Sequence, residues 1–255
     1  MTSLGTVAHR ALRRFGYDLA PFPPVDSLGA HLRALFARLG INCVLDVGAH
    51  RGEYGRLLRT LGYRGRIVSF EPVVESFEAV QRCAASDPDW RVFPVALGAA
   101  AGPRPFHVTR DPAFSSFFSA NPRGQHRFGV EMGIQRVERV SVTRLDAVFA
   151  ECVDGIGAPR TFLKLDTQGA DLEVLAGAGT RVDDIRALQC EVPVLAVYEG
   201  VDDYVTAIGR LNRMGFELTG IFAVSREPDL RLLELDCVLR RPEAPARSHS
   251  GQEAR

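Results

Sequence analysis

A short apolar run followed by two spaced glycines most constrains the fold of this chain. The run ends in Asp46-x-Gly48-x-x-x-Gly52, and Glu71 closes the next apolar run, nineteen residues beyond Gly52. A strand, a glycine turn, a helix and a second strand ending in an acid predict a parallel βαβ unit that holds a nucleoside cofactor. Gly48 lets the backbone approach a ligand closely, and Gly52 lets the helix begin near the strand.

The spacing and charge of this segment indicate which nucleoside is bound. Glu71 is placed to accept hydrogen bonds from two ribose hydroxyls, because a carboxylate offers two acceptor oxygens. A dinucleotide needs Gly-x-Gly-x-x-Gly for its pyrophosphate, whereas this loop has Gly48 and Gly52 with Asp46 before them. A carboxylate there would repel a diphosphate and suit an ammonium or sulfonium charge. The segment therefore favours S-adenosylmethionine over NAD; the alternative is an ordinary βαβ unit with another ligand or none.

Composition narrows the classes of function. The 255 residues can bury the core of one large α/β domain. Lys+Arg and Asp+Glu both number 31, and the resulting net charge of zero argues against a nucleic-acid partner. The five cysteines have no Cys-x-x-Cys spacing and no signal peptide is recognisable, so we expect a cytoplasmic protein. No apolar run approaches the length of a membrane span.

Apolar periodicity predicts a doubly wound sheet. One predicted helix follows Gly52. The other predicted helices span residues 28–39, 73–84, 171–177 and 202–214. The predicted strands span residues 43–48, 66–71, 91–97, 161–166, 186–192, 216–222 and 233–240, with a strand-like run at 139–145. The last two strands are joined without a helix, so the final strand should be antiparallel. The expected fold is the α/β, seven-stranded, mainly parallel, Rossmann-like sheet of class I methyltransferases.

The chain divides into three predicted parts. Residues 1–40 form an N-terminal arm and helix, 41–241 the methyltransferase domain, and 242–255 a disordered tail. Regular alternation stops at about 99–140, where prolines surround the aromatic run 114–118. Because long insertions are usually functional or disordered, and aromatic residues argue against disorder, we predict a substrate-side lid. The arm could cover a site or contact the partner in a homodimer.

Five segments resemble the FkbM family of S-adenosylmethionine-dependent methyltransferases. Residues 162–177, Phe-Leu-Lys-Leu-Asp-Thr-Gln-Gly-Ala-Asp-Leu-Glu-Val-Leu-Ala-Gly, resemble the family signature Ile-Lys-Ile-Asp-Val-Glu-Gly-x-Glu-x-x-Val-Leu-x-Gly. Further motifs of the family resemble residues 45–52, 69–72, 95–98 and 142–146. The resemblance covers about residues 42–220. It implies O-methylation of hydroxyl groups on sugars and polyketide-type small molecules.

Three positions depart from the family pattern. Gln168 replaces the glutamate of Asp-Val-Glu-Gly, Asp171 replaces the later glutamate, and His50 stands where the family usually has Asn. If the first carboxylate were a required base or metal ligand, this chain would lack it. We predict an O-methyltransferase acting on a sugar or glycosylated natural product. The alternatives are a non-catalytic cofactor-binding family member and an NAD-linked Rossmann oxidoreductase.

The cofactor site is expected beyond the carboxyl ends of the strands. Asp46 should orient the glycine loop and the amino-acid end of the cofactor, directly or through water. Ala96 and Leu97 should pass beside the adenine. The full predicted set is Asp46, Gly48, Ala49, Gly52, Glu71, Pro72, Ala96, Leu97 and Asp166.

The predicted catalytic residues are Asp166, Glu191 and His50. Asp166 could be a general base, a metal ligand or the partner of the methionine ammonium. Glu191 is the second carboxylate, and the two together could bind Mg²⁺, although Glu191 could instead orient a loop. His50 could be a base, because histidine titrates near neutrality, or could simply contact the cofactor.

A small-molecule acceptor is expected on the insertion side of the site. Phe117 could shape an apolar pocket or anchor the loop, and Ser115 and Ser116 could hydrogen-bond a polar acceptor. His126 could reach the acceptor, although a loop histidine is more often simply solvated.

Overall fold

Ten strands in two sheets organise residues 23–242, the part of the chain that this computed structural model describes. The strands are β1 (Cys43–Val47), β2 (Arg66–Phe70), β3 (Trp90–Phe93), β4 (Ala96–Leu97), β5 (Gly102–Thr109), β6 (Ile134–Thr143), β7 (Thr161–Leu165), β8 (Ile185–Pro193), β9 (Glu217–Arg226) and β10 (Leu232–Arg240). The helices are α1 (Leu28–Leu39), α2 (Glu53–Thr60), α3 (Val74–Ala84), α4 (Pro122–Phe128), α5 (Leu145–Cys152), α6 (Asp171–Ala178) and α7 (Tyr204–Arg213). The predicted tail beyond residue 242 and the arm before residue 23 lie outside the described residues.

The large sheet has the predicted doubly wound topology. Its strand order is β3-β2-β1-β7-β8-β10-β9, and β10 runs antiparallel to both of its neighbours. The chain moves outward from β1 to β3 and then returns to the other side of β1 through β7. This reversal places a crevice at the carboxyl ends of β1 and β7, where ligands bind in open α/β sheets. The predicted seven-stranded, mainly parallel fold with an antiparallel last strand is confirmed.

The core forms on both faces of this sheet. All five residues of β1 and all five of β7 are buried, as expected for central strands covered by helices on each side. One apolar cluster packs the sheet against α5, α6 and α7, and the other packs it against α1, α2 and α3. The helix α1 is capped at its start by Ser27, whose side chain accepts a hydrogen bond from Ala30 N, and at its end by the left-handed Gly40.

The predicted strand at 91–97 is wrong in one respect, because it is split between the two sheets. Trp90–Phe93 joins the large sheet, whereas Ala96–Leu97 pairs with Val142–Thr143 of β6 in a three-stranded sheet of order β4-β6-β5. Pro94 lies at the break. It has no N–H for a sheet ladder, which explains why pairing stops there.

The insertion has a regular structure of its own. Strands β5 and β6 pair antiparallel, and a cluster of buried apolar side chains joins them to the main domain. That cluster comprises Val73, Ala96, Phe106, Val108, Val140 and Val142. Within residues 23–242, no helix is both long and apolar enough to cross a membrane.

Candidate active site

The loop after β1 is built around Gly48. Its φ is 77°, and a side-chain carbon at this position would overlap the backbone carbonyl of Asp166 at the end of β7. The backbone N–H groups of Gly48 and Ala49 donate to Phe70 O at 3.1 and 3.2 Å. Glycine is therefore required here, and it brings the loop after β1 directly against Asp166.

Glu71 is held rigidly beside this loop. Only 6% of Glu71 is exposed, and its two oxygens accept hydrogen bonds from the backbone N–H groups of His50 (2.8 Å) and Val73 (2.9 Å). Burial raises the pKa of Glu71 to about 7, although these two hydrogen bonds act in the opposite direction. Each oxygen keeps a second lone pair for a ligand hydroxyl.

Asp46 and Asp166 share one buried cation. Lys164 Nζ lies 3.3 Å from Asp46 Oδ1 and 3.3 Å from Asp166 Oδ2, and it donates to Gly48 O at 2.9 Å. Burial alone would lower the pKa of Lys164, but the charges of Asp166 and then Asp46 raise it above its ordinary value. The ammonium thus ties both strand ends to the glycine loop.

The expected contact of Asp46 with the cofactor needs correction. Asp46 is 0% exposed, accepts a hydrogen bond from Ser69 Oγ at 3.0 Å and does not line the cavity described below. Its position in the middle of the sheet and its pairing with Lys164 explain this burial. Asp46 reaches the glycine loop only through Lys164, and its charge is offset there. The argument that Asp46 would repel a diphosphate therefore loses its basis.

A cavity of about 670 Å³ opens beside this loop. The predicted residues that line it are Gly48, Ala49, His50, Glu71, Pro72, Ala96, Leu97, Ser115, Phe117, Asp166 and Glu191. Besides Asp46, three predicted residues do not line it. Gly52 begins α2 and faces Cys83, Ser116 is buried and donates to Gln168 O at 2.7 Å, and His126 is exposed on α4.

Gln168 lies between the two predicted catalytic carboxylates. Its φ is 52°, and its Nε2 lies 3.0 Å from Asp166 Oδ1 and 3.5 Å from Glu191 Oε1. Its Oε1 accepts from the Tyr198 hydroxyl at 2.9 Å. This amide donor and the Lys164 ammonium already serve the carboxylates, so the donor set does not fit Mg²⁺, which needs oxygen ligands. The part of the chain from 23 to 242 contains no group of three or more His, Cys, Asp or Glu placed to hold a metal, so the expected magnesium is not supported.

Comparison with known proteins identifies the family. A family model described as the methyltransferase FkbM domain matches residues 46–218. The chain belongs to the FkbM methyltransferase family. It is therefore an S-adenosylmethionine-dependent methyltransferase, as the resemblance implied. No curated protein sequence matches this FkbM methyltransferase.

Several solved structures are similar to this FkbM methyltransferase at low identity. One is magnesium protoporphyrin IX methyltransferase from Synechocystis PCC 6803 with bound SAM (12% identity, TM-score 0.48, 95% of this chain and 86% of that chain). Another is Burkholderia thailandensis 1,6-didemethyltoxoflavin-N1-methyltransferase with S-adenosylhomocysteine (12% identity, TM-score 0.44, 93% of this chain and 85% of that chain). A third is Aeropyrum pernix fibrillarin with S-adenosyl-L-methionine (12% identity, TM-score 0.44, 78% of this chain and 66% of that chain). The family assignment rests on the family model.

Sequence reasoning missed two carboxylates of the FkbM methyltransferase site. Glu234 and Asp236 line the cavity from β10. Because β10 is antiparallel to β8, its first residues lie at the same sheet edge as the last residues of β8. The signal was present: an antiparallel last strand was predicted, and these two acids are spaced two apart at its start, so they share one face.

Proposed function

We propose that this FkbM methyltransferase transfers the methyl group of S-adenosylmethionine to a hydroxyl of a small molecule, a sugar or glycosylated natural product. The observation that carries the proposal is the carboxylate of Asp166, which lines the cavity. Lys164 links this carboxylate to Gly48 O in the loop after β1, which we call the cofactor loop. An aliphatic hydroxyl is a poor nucleophile, so a base beside the transferred methyl is what this reaction needs.

The residues of the cavity fit the cofactor. Glu71 would accept hydrogen bonds from the ribose hydroxyls with its remaining lone pairs, and Ala96 and Leu97 would border the adenine. The loop of Gly48 and Ala49 and the carboxylate of Asp166 would meet the methionine end. When bound, the cofactor supplies the methyl group on a sulfonium. The protein then has to align the acceptor oxygen and remove its proton.

Asp166 is the proposed base. Gln168 holds its Oδ1 and Lys164 its Oδ2, so the carboxylate is fixed in orientation. It would accept the proton of the acceptor hydroxyl, whose oxygen would receive the methyl group that the bound cofactor supplies. Glu191 lines the same cavity as the second carboxylate, and burial and the charge of Asp166 raise its pKa.

His50 is the second candidate base. It lines the cavity in a left-handed conformation with φ 48°, which histidine tolerates better than most residues. Its Nε2 is buried without a hydrogen-bond partner among the described residues, and its Nδ1 lies 3.6 Å from Glu53 Oε2. This free ring nitrogen is the observation in favour of His50.

The test measures methyl transfer to a panel of hydroxylated acceptors, with product O-methylation read by mass spectrometry and NMR. Asp166→Asn should lower turnover by about 10²-fold or more, the usual range for general acid–base catalysis, and should change S-adenosylhomocysteine affinity much less. Asp89→Asn, an exposed position before β3, is the matched control. Near-normal turnover in Asp166→Asn would refute Asp166 as the base and make His50→Gln the next variant.

Further parts of the proposal concern the surroundings of the site. The insertion acts as the substrate-side lid, a role supported by Phe106, Ser115 and Phe117 in the cavity wall. A cytoplasmic location is consistent with five unpaired cysteines. A homodimer and the exclusion of nucleic-acid acceptors stay predictions, as does the division at residues 41 and 241.

A further inference from the structure

One part of the cavity wall is strongly acidic. Glu191, Glu234 and Asp236, which we call the carboxylate wall, line it from β8 and β10. The strand β10 lies three strands from β1, or about 14 Å at about 4.8 Å per strand. Among the described residues that line the cavity, Lys164 is the single Lys or Arg, and Asp46 and Asp166 already share it.

The register of β8 and β10 forces these carboxylates together. Asp236 lies directly opposite Glu191, and Glu234 is two residues away on the same face. Like charges opposite each other on neighbouring strands are destabilising. The hydrogen-bond donors to these carboxylates are neutral. Gln189 Nε2 lies 2.8 Å from Asp236 Oδ1, Ser225 Oγ lies 2.8 Å from Glu234 Oε2, and Gln168 Nε2 lies 3.5 Å from Glu191 Oε1. Burial raises the pKa of all three groups, for Asp236 to about 6.

A second cavity lies behind the carboxylate wall. It measures about 230 Å³ and shares Gln168, Glu191 and Glu234 with the first. Asp171 also lines it, is only 8% exposed, and uses Oδ1 to accept from Thr167. Its Oδ2 has no hydrogen-bond partner among the described residues. The cation on this side, Arg210, lies 3.2 Å from Asp202. The Oδ2 atom of Asp171, a residue that lines the second cavity, therefore has no hydrogen-bond donor among the described residues.

We propose that the acceptor carries a basic nitrogen, which the carboxylate wall binds as an ammonium group, so that the substrate is a hydroxylated amine such as an amino sugar or aminocyclitol. The assignment rests on the proposed function, because it names the ligand of the acceptor end of the same cavity. An ammonium has three donors and would offset the repulsion between the three acids.

Binding the nitrogen as ammonium also determines which atom is methylated. A protonated amine has no lone pair and cannot attack the methyl carbon. The hydroxyl near Asp166 is then the nucleophile that remains, although an amine is ordinarily the better one. The carboxylate wall thus recognises the substrate and directs the methyl group to oxygen.

The experiment uses the full chain saturated with S-adenosylhomocysteine at pH 7.5. The probes are 2-deoxystreptamine and its di-N-acetyl derivative, which keeps the hydroxyls and lacks the charges, and affinity is measured by ligand-observed NMR. We expect the amine to bind about tenfold or more tightly, the effect of one hydrogen bond between charged groups. Glu234→Gln should remove most of that preference without weakening S-adenosylhomocysteine binding. Glu217→Gln, an exposed glutamate on β9 outside both cavities, is the matched control.

Asp236→Asn provides a second variant if Glu234→Gln does not fold. Equal binding of both probes, failure of both to bind the cofactor complex, or an unchanged preference in the variants would overturn the amine assignment. In each of those cases binding of S-adenosylhomocysteine leaves the proposed methyltransferase reaction standing. Failure of the wild-type chain to bind S-adenosylhomocysteine would instead refute the proposed function.

Discussion

Glu71 should make the stability of the fold depend on pH. The carboxyl group is buried in the folded protein, where its pKa is about 7, against an ordinary value of 4.5. Each pKa unit corresponds to about 1.4 kcal/mol, so ionising Glu71 in the protein without cofactor costs the folded state about 3 kcal/mol. Because the pKa of Glu71 is raised in the folded protein, the folded state does not bear this cost below pH 4.5, where Glu71 is protonated in both states. The free energy of unfolding then falls by this amount as the pH rises from 4.5 to about 7.

Glu71→Gln removes this ionisation but keeps the shape. The amide would place an N–H group against the N–H of either His50 or Val73, at a cost of about 1–3 kcal/mol for the unpaired donor. This cost and the gain of about 3 kcal/mol from losing the buried charge nearly cancel above pH 7. The variant should therefore be about as stable as wild type at pH 8 and less stable than wild type at pH 5.

Two measurements test Glu71. Urea unfolding between pH 5 and 8 should show a stability difference between wild type and variant that shrinks as pH rises. Calorimetry at pH 8 should show S-adenosylhomocysteine binding weakened by about 1.5–3 kcal/mol, the range for hydrogen bonds to a charged group. Glu217→Gln, on the exposed side of β9, is the control. A constant stability difference across this pH range would refute the raised pKa of Glu71. Unchanged affinity would refute its assignment to the ribose.

Three further predictions concern the cofactor loop, the buried cation and the insertion. Gly48→Ala should destabilise the fold by about 2–5 kcal/mol, because an alanine there would be left-handed and would overlap Asp166. Gly157→Ala is the control, since a side-chain carbon at that position meets nothing within 4 Å, and it should unfold like wild type in urea. Equal stability of the two variants would contradict the close approach of Gly48 to Asp166. Lys164→Met should lower the free energy of unfolding by about 3–5 kcal/mol, because Asp46 would be left charged and unpaired. Adding Asp46→Asn should recover much of that loss. No recovery would mean that Lys164 stabilises the fold by packing alone. Hydrogen exchange over residues 102–143 should slow when S-adenosylhomocysteine and an acceptor bind, and unchanged exchange would count against a lid.

The sequence was sufficient to predict the fold where the pattern is local. Buried runs, helical spacing and glycine stops predicted the parallel strands, and the missing helix before the final strand predicted its antiparallel direction. Glu71 could be placed because it ends the strand next to β1. The break at Pro94 was also readable, since proline cannot continue a ladder, yet the run 91–97 is apolar enough to resemble one strand.

The rest of the site depends on contacts between distant segments. Asp46 lies directly opposite Lys164 in the register of β1 and β7, so its partner follows from strand pairing and not from spacing along the chain. Glu234 and Asp236 reach the cavity only through the register of β8 and β10. Tyr198 comes from a loop, and its hydroxyl contact with Gln168 spans thirty positions. No periodicity in a single sequence reports such contacts.

The break at Pro94 has a consequence for how strongly the cofactor and the acceptor affect each other's binding. Ala96 and Leu97 line the cavity, and the same two residues form β4, the strand that pairs with β6 of the insertion. An adenine bound beside Ala96 and Leu97, as we propose, would therefore also fix one edge of the small sheet. Coupling of this kind is reciprocal: whatever factor the cofactor adds to acceptor affinity, the acceptor must add to cofactor affinity. We expect the two ligands to bind with positive cooperativity, and the released S-adenosylhomocysteine to leave more readily once the methylated product has gone.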